Sequence, residues 1–217
     1  MNVEKYLEKC EICPHKCKVN RLNGNIGRCK ATDKIKIALV SLHQYEEPCI
    51  SGESGSGTIF FSNCNMSCEY CQNYEISQKG KGYEVTIQEL AKIMIEQQEK
   101  GALNINLVTP TMYAIQIIEA IKIAKKNGLY IPILYNTNGY ECVKTIKMLN
   151  KAVIVHTALL RQTFVHCGRF PTAASRRSLG RVSVPMWPIN LSVRLRIITL
   201  VGRYPTNKLI RRRPIQK

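Results

Sequence analysis

Three closely spaced cysteines give this sequence its clearest chemical signature. Cys64, Cys68 and Cys71 follow the spacing C-x3-C-x2-C. Gaps this short let one loop present three thiolates to three corners of a cubane [4Fe–4S] cluster. The next cysteine along the chain is Cys142, so no fourth thiolate lies nearby in the sequence. The spacing therefore predicts a cluster in which one iron has no protein ligand.

The missing fourth ligand separates this site from two simpler ones. A structural zinc site is a closed tetrahedron of four ligands, and a purely electron-carrying cluster normally has a fourth cysteine. An open iron can instead chelate the amino and carboxylate groups of S-adenosylmethionine (SAM), and an electron from the cluster then breaks a sulfur–carbon bond to give a 5′-deoxyadenosyl radical. Buried structural cysteines, or a zinc knuckle completed from elsewhere in the chain, are the alternatives.

A second cysteine group lies near the start of the sequence, with the spacing C-x2-C-x3-C-x11-C. Four thiolates can close a tetrahedral zinc site or hold a second iron–sulfur cluster, and either would hold together a segment with few apolar residues. Free thiols are the alternative. Because four closed ligands leave no position for SAM, we expect this second metal to be structural. Its ligands would be Cys10, Cys13, Cys17 and Cys29.

The apolar pattern that must position these cysteines changes period repeatedly. Short apolar runs typical of strands alternate with longer helical patterns, one of which opens with a capping box from Thr86 to Glu89. Strands separated by helices predict parallel βαβ units, whose ligands bind at the carboxyl ends of the strands. Strands are predicted over 34–43, 58–61, 105–108, 131–135 and 152–155, and helices over 86–101, 113–126 and about 143–149.

The cysteine motif after a strand resembles the radical SAM superfamily. Other segments are similar to one branch of it, the PflX-like group, homologues of pyruvate formate-lyase-activating enzymes. These segments are 46–52, 55–58, 71–73, 104–111 and 131–141. The resemblance runs from about Tyr6 to Asn150. It implies an α/β fold that contains the first three or so βα units of a radical SAM barrel, preceded by a small cysteine-rich metal module.

The resemblance also implies which residues bind SAM. One aromatic ring, between the second and third cluster ligands, would lie against the adenine, and the ends of two strands would face the methionine part and the same crevice. Packing of the aromatic ring and ordinary turn chemistry at the strand ends are the alternatives. The residues are Tyr70, then Thr109, Pro110 and Thr111, and then Asn136 and Asn138.

The function implied is that of an activating-enzyme-like oxidoreductase. Its cofactors would be one [4Fe–4S] cluster and SAM, its reductant a protein such as flavodoxin or ferredoxin, and its substrate a glycyl-radical protein. We expect a cytoplasmic location, because the first residues lack an apolar export signal and no apolar run approaches the ~18 residues of a membrane span. The alternative is a nucleic-acid-binding protein that uses the N-terminal cysteines and the arginine-rich tail, but few aromatic residues lie near those cysteines.

The net charge of +17 is concentrated in the last part of the chain. Residues 1–150 contain 18 basic and all 15 acidic side chains, whereas residues 151–217 contain 14 basic side chains and no acid. At the acid frequency of the front part, the acid-free run after Glu141 has a probability on the order of 10⁻⁴. We therefore predict three parts: the cysteine-rich module (1–50), the N-terminal part of a radical SAM domain (51–150), and a frameshifted or fused tail (151–217) that leaves the chain as written inactive.

Overall fold

The structure is a computed structural model that describes residues 2–46, 48–150 and 152–157. Six strands form one sheet in the order β3-β1-β2-β4-β5-β6. The strands are β1 (Ile35–His43), β2 (Ser56–Phe61), β3 (Tyr83–Val85), β4 (Ile105–Val108), β5 (Ile133–Thr137) and β6 (Ile154–Thr157). The helices are α1 (Glu4–Glu8), α2 (Pro48–Ser51), α3 (Tyr74–Ser77), α4 (Ile87–Glu99), α5 (Ala114–Lys126) and α6 (Val143–Leu149), with a 3₁₀ turn over Thr111–Tyr113.

The sheet is parallel on one side and antiparallel on the other. Strands β2, β4, β5 and β6 pair in parallel, and α4, α5 and α6 connect them. Strand β1 pairs antiparallel with both β2 and β3. The mixed α/β architecture agrees with a partial radical SAM fold, and the predicted parallel βαβ units are confirmed. The antiparallel pairing of β1 and the short strand β3 were not predicted, because the pattern of one strand does not reveal the direction of its partner.

The two faces of the parallel strands differ in chemistry. Ile59, Leu107 and Tyr135 lie side by side in the register of β2, β4 and β5, and all three are fully buried in the core that these strands form with α4 and α5. One residue earlier in the same register, Thr58 pairs with Asn106, and both are also fully buried. Because side chains alternate across a strand, these two polar residues belong to the opposite face. The first face builds the core with α4 and α5, and the opposite face carries the buried polar side chains of Thr58 and Asn106.

The predicted bounds of two strands need correction. Strand β5 begins at Ile133, two residues later than expected, and continues to Thr137. Pro132 precedes it and contributes only its carbonyl oxygen, which accepts a hydrogen bond from the Ile105 N–H at 2.9 Å. As a result Asn136 lies inside the strand rather than at its end, and Asn138 is the one that follows it. Strand β6 likewise begins at Ile154, two residues after the predicted start.

The predicted boundary near residue 151 is followed by one more strand of the sheet. Strand β6 pairs in parallel with β5 from Leu134 and Ile154 to Thr137 and Thr157. Residues 158–217 lie outside the described residues, so the predicted foreign tail, and the arginines that a nucleic-acid alternative needs, stay predictions. At the other end β1, from the predicted module 1–50, is part of the same sheet as β2. Among the described helices, none is both long and apolar enough to span a membrane.

The capping box at the start of α4 provides a test of the local fold. The Thr86 hydroxyl accepts a hydrogen bond from the Glu89 N–H at 3.1 Å, and the Glu89 carboxylate accepts one from the Thr86 N–H at 2.7 Å. We expect Thr86→Ala to lower the free energy of unfolding by about 1 kcal/mol, because it removes this acceptor. The matched control Thr86→Ser keeps the acceptor and should stay close to wild type. Urea denaturation followed by circular dichroism measures both, and an equal loss in the two variants would contradict the assignment.

Candidate functional site

The loop that carries Cys64, Cys68 and Cys71, called the cysteine loop below, begins with a sharp turn at the carboxyl end of β2. Asn63 is buried and has a φ of 70°, in the left-handed region that asparagine tolerates better than most residues. Its N–H donates to the Ile76 carbonyl at 2.8 Å, and its side-chain amide donates to the Tyr113 hydroxyl at 2.9 Å. These two bonds fix the direction in which the chain leaves the sheet and enters Cys64.

Hydrogen-bond donors surround the first cysteine of the loop. The Met66 N–H approaches the Cys64 sulfur at 3.4 Å, and the Asn138 side-chain amide approaches it at 3.5 Å. Cys71 lies 3.2 Å from the Ser77 hydroxyl, whereas Cys68 is exposed. Burial raises the pKa of the Cys64 thiol, and the two donors partly oppose this rise. Cys64 and Cys71 therefore each have polar neighbours, and Cys68 is exposed.

The donor set of this loop fits an iron–sulfur cluster in its chemistry. Three thiols lie on one short loop, and the sulfur of Cys64 already receives the kind of N–H contact that tunes cluster thiolates. Binding of a metal requires the thiolate, so a metal would displace the proton that burial otherwise retains. In the described part of the chain, no three His, Cys, Asp or Glu side chains converge closely enough to hold a metal ion. The Cys68 and Cys71 thiols act electrostatically on Cys64 and contribute to its raised pKa.

Among the predicted SAM-binding residues outside the cysteine loop, Asn138 contacts that loop directly. Besides its contact with Cys64, its amide donates to the Asn65 side-chain oxygen at 2.5 Å. Asn65 in turn donates to the Tyr140 carbonyl at 2.7 Å. The segment after β5 is thus hydrogen-bonded to the cysteine loop across 73 residues of sequence. Asn136 is connected to the end of β4 through its backbone, because its carbonyl accepts a hydrogen bond from the Thr109 N–H at 3.0 Å.

The segment after β4 is strained and largely buried. Thr109 has a φ of 54°, which is costly for a β-branched residue and is often found at functional sites. Pro110 is buried, and Thr111 is fully buried with its hydroxyl donating to Glu141 at 2.8 Å. Tyr70 is 79% exposed, so its ring face is open to solvent. Contacts of these residues with SAM stay predictions.

Glu141 is the main residue of this region that sequence reasoning missed. Its carboxylate accepts hydrogen bonds from Thr111 at 2.8 Å, from Thr137 at 2.6 Å and from the Tyr135 hydroxyl at 3.1 Å. Burial raises the pKa of Glu141, and the two threonine donors oppose the rise. In the sequence it is a single acid four residues after the end of β5. Only the structure shows that one carboxylate links the ends of β4 and β5.

The N-terminal cysteine segment packs directly on this region. The His15 imidazole contacts the Asn65 carbonyl at 2.8 Å, and its ring lies 5.0 Å from that of Tyr140. The Asn65 side chain also acts on the Cys13 thiol, whose pKa burial raises and this contact lowers. Asn65 therefore lies next to Cys64 of the cysteine loop and contacts Cys13 of the N-terminal group. Sequence reasoning assigned neither His15 nor Asn65 to the site, because contacts between distant segments leave no local pattern.

The four N-terminal thiols form a buried group of their own. Cys10, Cys13 and Cys29 are buried and Cys17 is partly buried. Burial is the main cause that raises the pKa of Cys29, and the neighbouring thiols add to it. Gly27 is pressed against this group, because a Cβ there would lie 2.9 Å from both the Cβ and the sulfur of Cys17. Gly27, which has no Cβ, therefore lets the backbone approach the Cys17 sulfur closely.

Residues 58–163, from β2 past β6, match the model of the Radical SAM superfamily. The chain therefore contains a radical SAM superfamily domain. Proteins with this domain are in general enzymes that bind a [4Fe–4S] cluster and SAM.

A curated relative shows the extent of the similarity. The uncharacterized protein MJ0674 of Methanocaldococcus jannaschii is 31% identical over 172 residues, which cover 74% of this chain and 48% of that protein. The chain thus spans about half the length of the relative. Because that relative is uncharacterized, the match does not distinguish the PflX-like group within the superfamily.

The raised pKa of Glu141 gives a pH-dependent test of the site. The folded chain keeps the Glu141 proton above the ordinary pKa of 4.5, at pH values where the unfolded chain has released it. The stabilisation is complete below about pH 4.5 and is lost as the pH rises through the folded-state pKa. We expect the free energy of unfolding to decline less steeply with pH in Glu141→Gln than in wild type, because the amide does not titrate.

Urea denaturation at a series of pH values from about 4.5 upwards measures these slopes. Glu99→Gln, at an exposed acid in the last turn of α4, is the matched control and should keep the wild-type slope. Identical slopes in all three proteins would show that Glu141 titrates in the folded chain as it does in the unfolded one.

Proposed function

We propose that this chain is the cluster-bearing part of a radical SAM enzyme that holds one [4Fe–4S] cluster through Cys64, Cys68 and Cys71. The observation that carries the proposal is the C-x3-C-x2-C loop at the carboxyl end of the first parallel strand, inside the matched domain. When bound, such a cluster with one open iron supplies the electron that cleaves SAM reductively to a 5′-deoxyadenosyl radical.

Several residues around the loop would orient that cluster and tune its reduction potential. Asn63 sets the turn into the loop, and the N–H groups of Met66 and Asn138 point at the Cys64 sulfur. Hydrogen bonds to a cluster thiolate stabilise the more negative, reduced state. Cys68 is exposed and opens onto a cleft of about 680 Å³. That exposure supports electron delivery by an outside reductant such as flavodoxin or ferredoxin.

The strand ends provide the proposed SAM crevice. Thr109 and Asn136 are joined through their backbones, and Thr111 is held by Glu141. Fixed polar groups at the carboxyl ends of parallel strands are the usual means by which such folds orient a ligand. We assign the methionine part of SAM to Thr109, Pro110 and Thr111, its adenine to Tyr70, and the adjoining wall to Asn136 and Asn138.

The finer assignment follows the resemblance of the sequence. We propose membership of the PflX-like group and activation of a glycyl-radical protein, on the similar segments 46–52, 104–111 and 131–141. The N-terminal cysteines would hold a second, structural metal, zinc or iron–sulfur. Its support is the burial of Cys10, Cys13 and Cys29, in a segment whose His15 contacts the Asn65 carbonyl of the cysteine loop.

Removal of the three loop thiols tests the cluster assignment. We expect the variant Cys64→Ala/Cys68→Ala/Cys71→Ala to lose the iron, the sulfide and the visible charge-transfer absorption of this site after anaerobic reconstitution, because no other ligands replace the thiolates. Cys142→Ala is the matched control and should keep all three. Any 5′-deoxyadenosine that the reduced wild-type protein forms from SAM should be absent from the triple variant. Retention of SAM cleavage by the triple variant would refute the assignment.

The amide of Asn138 provides a second test that does not depend on turnover. Asn138→Ala removes an N–H donor at 3.5 Å from the Cys64 sulfur. A hydrogen bond contributes about 0.5–1.5 kcal/mol, so we expect the reduction potential of the cluster to fall by on the order of tens of millivolts. Redox titration followed by electron paramagnetic resonance measures the shift, with Asn127→Ala at the end of α5 as the control. An unchanged potential in Asn138→Ala would show that the amide does not act on the cluster.

A further inference from the structure

Arg21 is a buried cation without a carboxylate partner in the part of the chain that the structure describes. Its side chain is 2% exposed. One terminal nitrogen donates to the Met112 carbonyl at 2.8 Å, the other approaches the Cys29 sulfur at 3.6 Å, and Nε has no partner. The ion pairs found among the described residues all involve lysine. A guanidinium keeps its charge in proteins, so this charge lies buried beside a sulfur.

A buried charge is strongly unfavourable unless an opposite charge lies close to it. The ionisable side chains that Arg21 acts on are the Cys29 thiol and the Tyr113 hydroxyl, and Cys10, Cys13 and Cys17 lie near Cys29. A neutral Cys29 thiol and a neutral Tyr113 hydroxyl would leave the buried cation without an opposite charge beside it. A disulfide has no charge and would leave it unpaired as well.

We propose that Arg21 is the counter-cation of an anionic metal site in which Cys10, Cys13, Cys17 and Cys29 all bind as thiolates. The proposal rests on the second metal assigned above and adds the charge of the site and a further residue that stabilises it. Zn²⁺ with four thiolates, or a [4Fe–4S]²⁺ cluster with four thiolates, carries two negative charges. Arg21 neutralises part of this charge and donates a hydrogen bond to one of the sulfurs.

The same guanidinium ties this site to the SAM crevice. Met112 belongs to the 3₁₀ turn over Thr111–Tyr113 that follows β4. In that turn the Thr111 hydroxyl binds Glu141, and the Tyr113 hydroxyl accepts the hydrogen bond from Asn63, the residue before Cys64. A metal at the N-terminal cysteines would thus hold Arg21 in place, and Arg21 would hold the turn against which both the crevice and the cysteine loop are built.

The test uses Zn²⁺ as the probe in the full chain with Cys64, Cys68 and Cys71 replaced by alanine. The result then does not depend on the radical SAM cluster. Arg21→Met is compared with Arg28→Met, because Arg28 carries the same charge next to Cys29 in the sequence but is exposed. We expect Arg21→Met to weaken Zn²⁺ binding about 10- to 100-fold in chelator competition, as for other groups that support metal ligands. Arg28→Met should change it less than about 3-fold, since exposed charges interact weakly.

Two further measurements keep the proposal open to refutation if Arg21→Met does not fold. Arg21→Lys keeps the charge without the planar fork, so its affinity should lie between wild type and Arg21→Met. Titration of the protons released on Zn²⁺ binding should give about four per chain near neutral pH, because each thiol must lose its proton. Two or fewer protons, or no binding of Zn²⁺, would refute the four-thiolate site. Equal affinities in Arg21→Met, Arg21→Lys and Arg28→Met would refute the role of Arg21 alone.

Discussion

The parallel register of β2, β4 and β5 is the constraint on which the candidate site depends. Because the three strands run in the same direction, the loops that follow them leave from one edge of the sheet. That edge brings Asn138 to Cys64 across 74 residues of sequence, and Thr109 to the backbone of Asn136. The apolar face of the same strands, buried against α4 and α5, holds this register, since a slip by one residue would expose it.

A second layer of contacts joins the N-terminal segment to that edge. Asn65 contacts His15 through its carbonyl and acts on Cys13 through its side chain, one residue after Cys64. Arg21 reaches the Met112 carbonyl in the turn after β4. The two cysteine groups are separate motifs in the sequence, but hydrogen bonds of Asn65 and Arg21 connect the segments that carry them. A change in the fold around one set of cysteines would therefore shift the residues that orient the other set.

Local patterns revealed the cysteine motif and predicted the parallel strands and the capping box of α4. Cysteine spacing, apolar periodicity and helix-end signals each depend on residues that are close together in the sequence. Local patterns did not predict features that depend on contacts between residues distant in the sequence. The start of β5 moved past Pro132, and nothing near Glu141 or Arg21 in the sequence signals that either is buried. A lone charged residue in a sequence is normally solvated, so only the folded chain reveals a carboxylate held by three hydroxyls or a cation held by a sulfur.

The cluster that we propose on Cys64, Cys68 and Cys71 would keep one iron open for SAM. Electron–nuclear double resonance of the reduced, reconstituted chain, with SAM carrying ¹⁵N in its amino group, measures this coordination directly. We expect a ¹⁵N coupling strong enough for direct coordination to iron, present in the wild type and in Cys142→Ala. A reduced cluster whose spectrum is unchanged by SAM and shows no ¹⁵N coupling would contradict it.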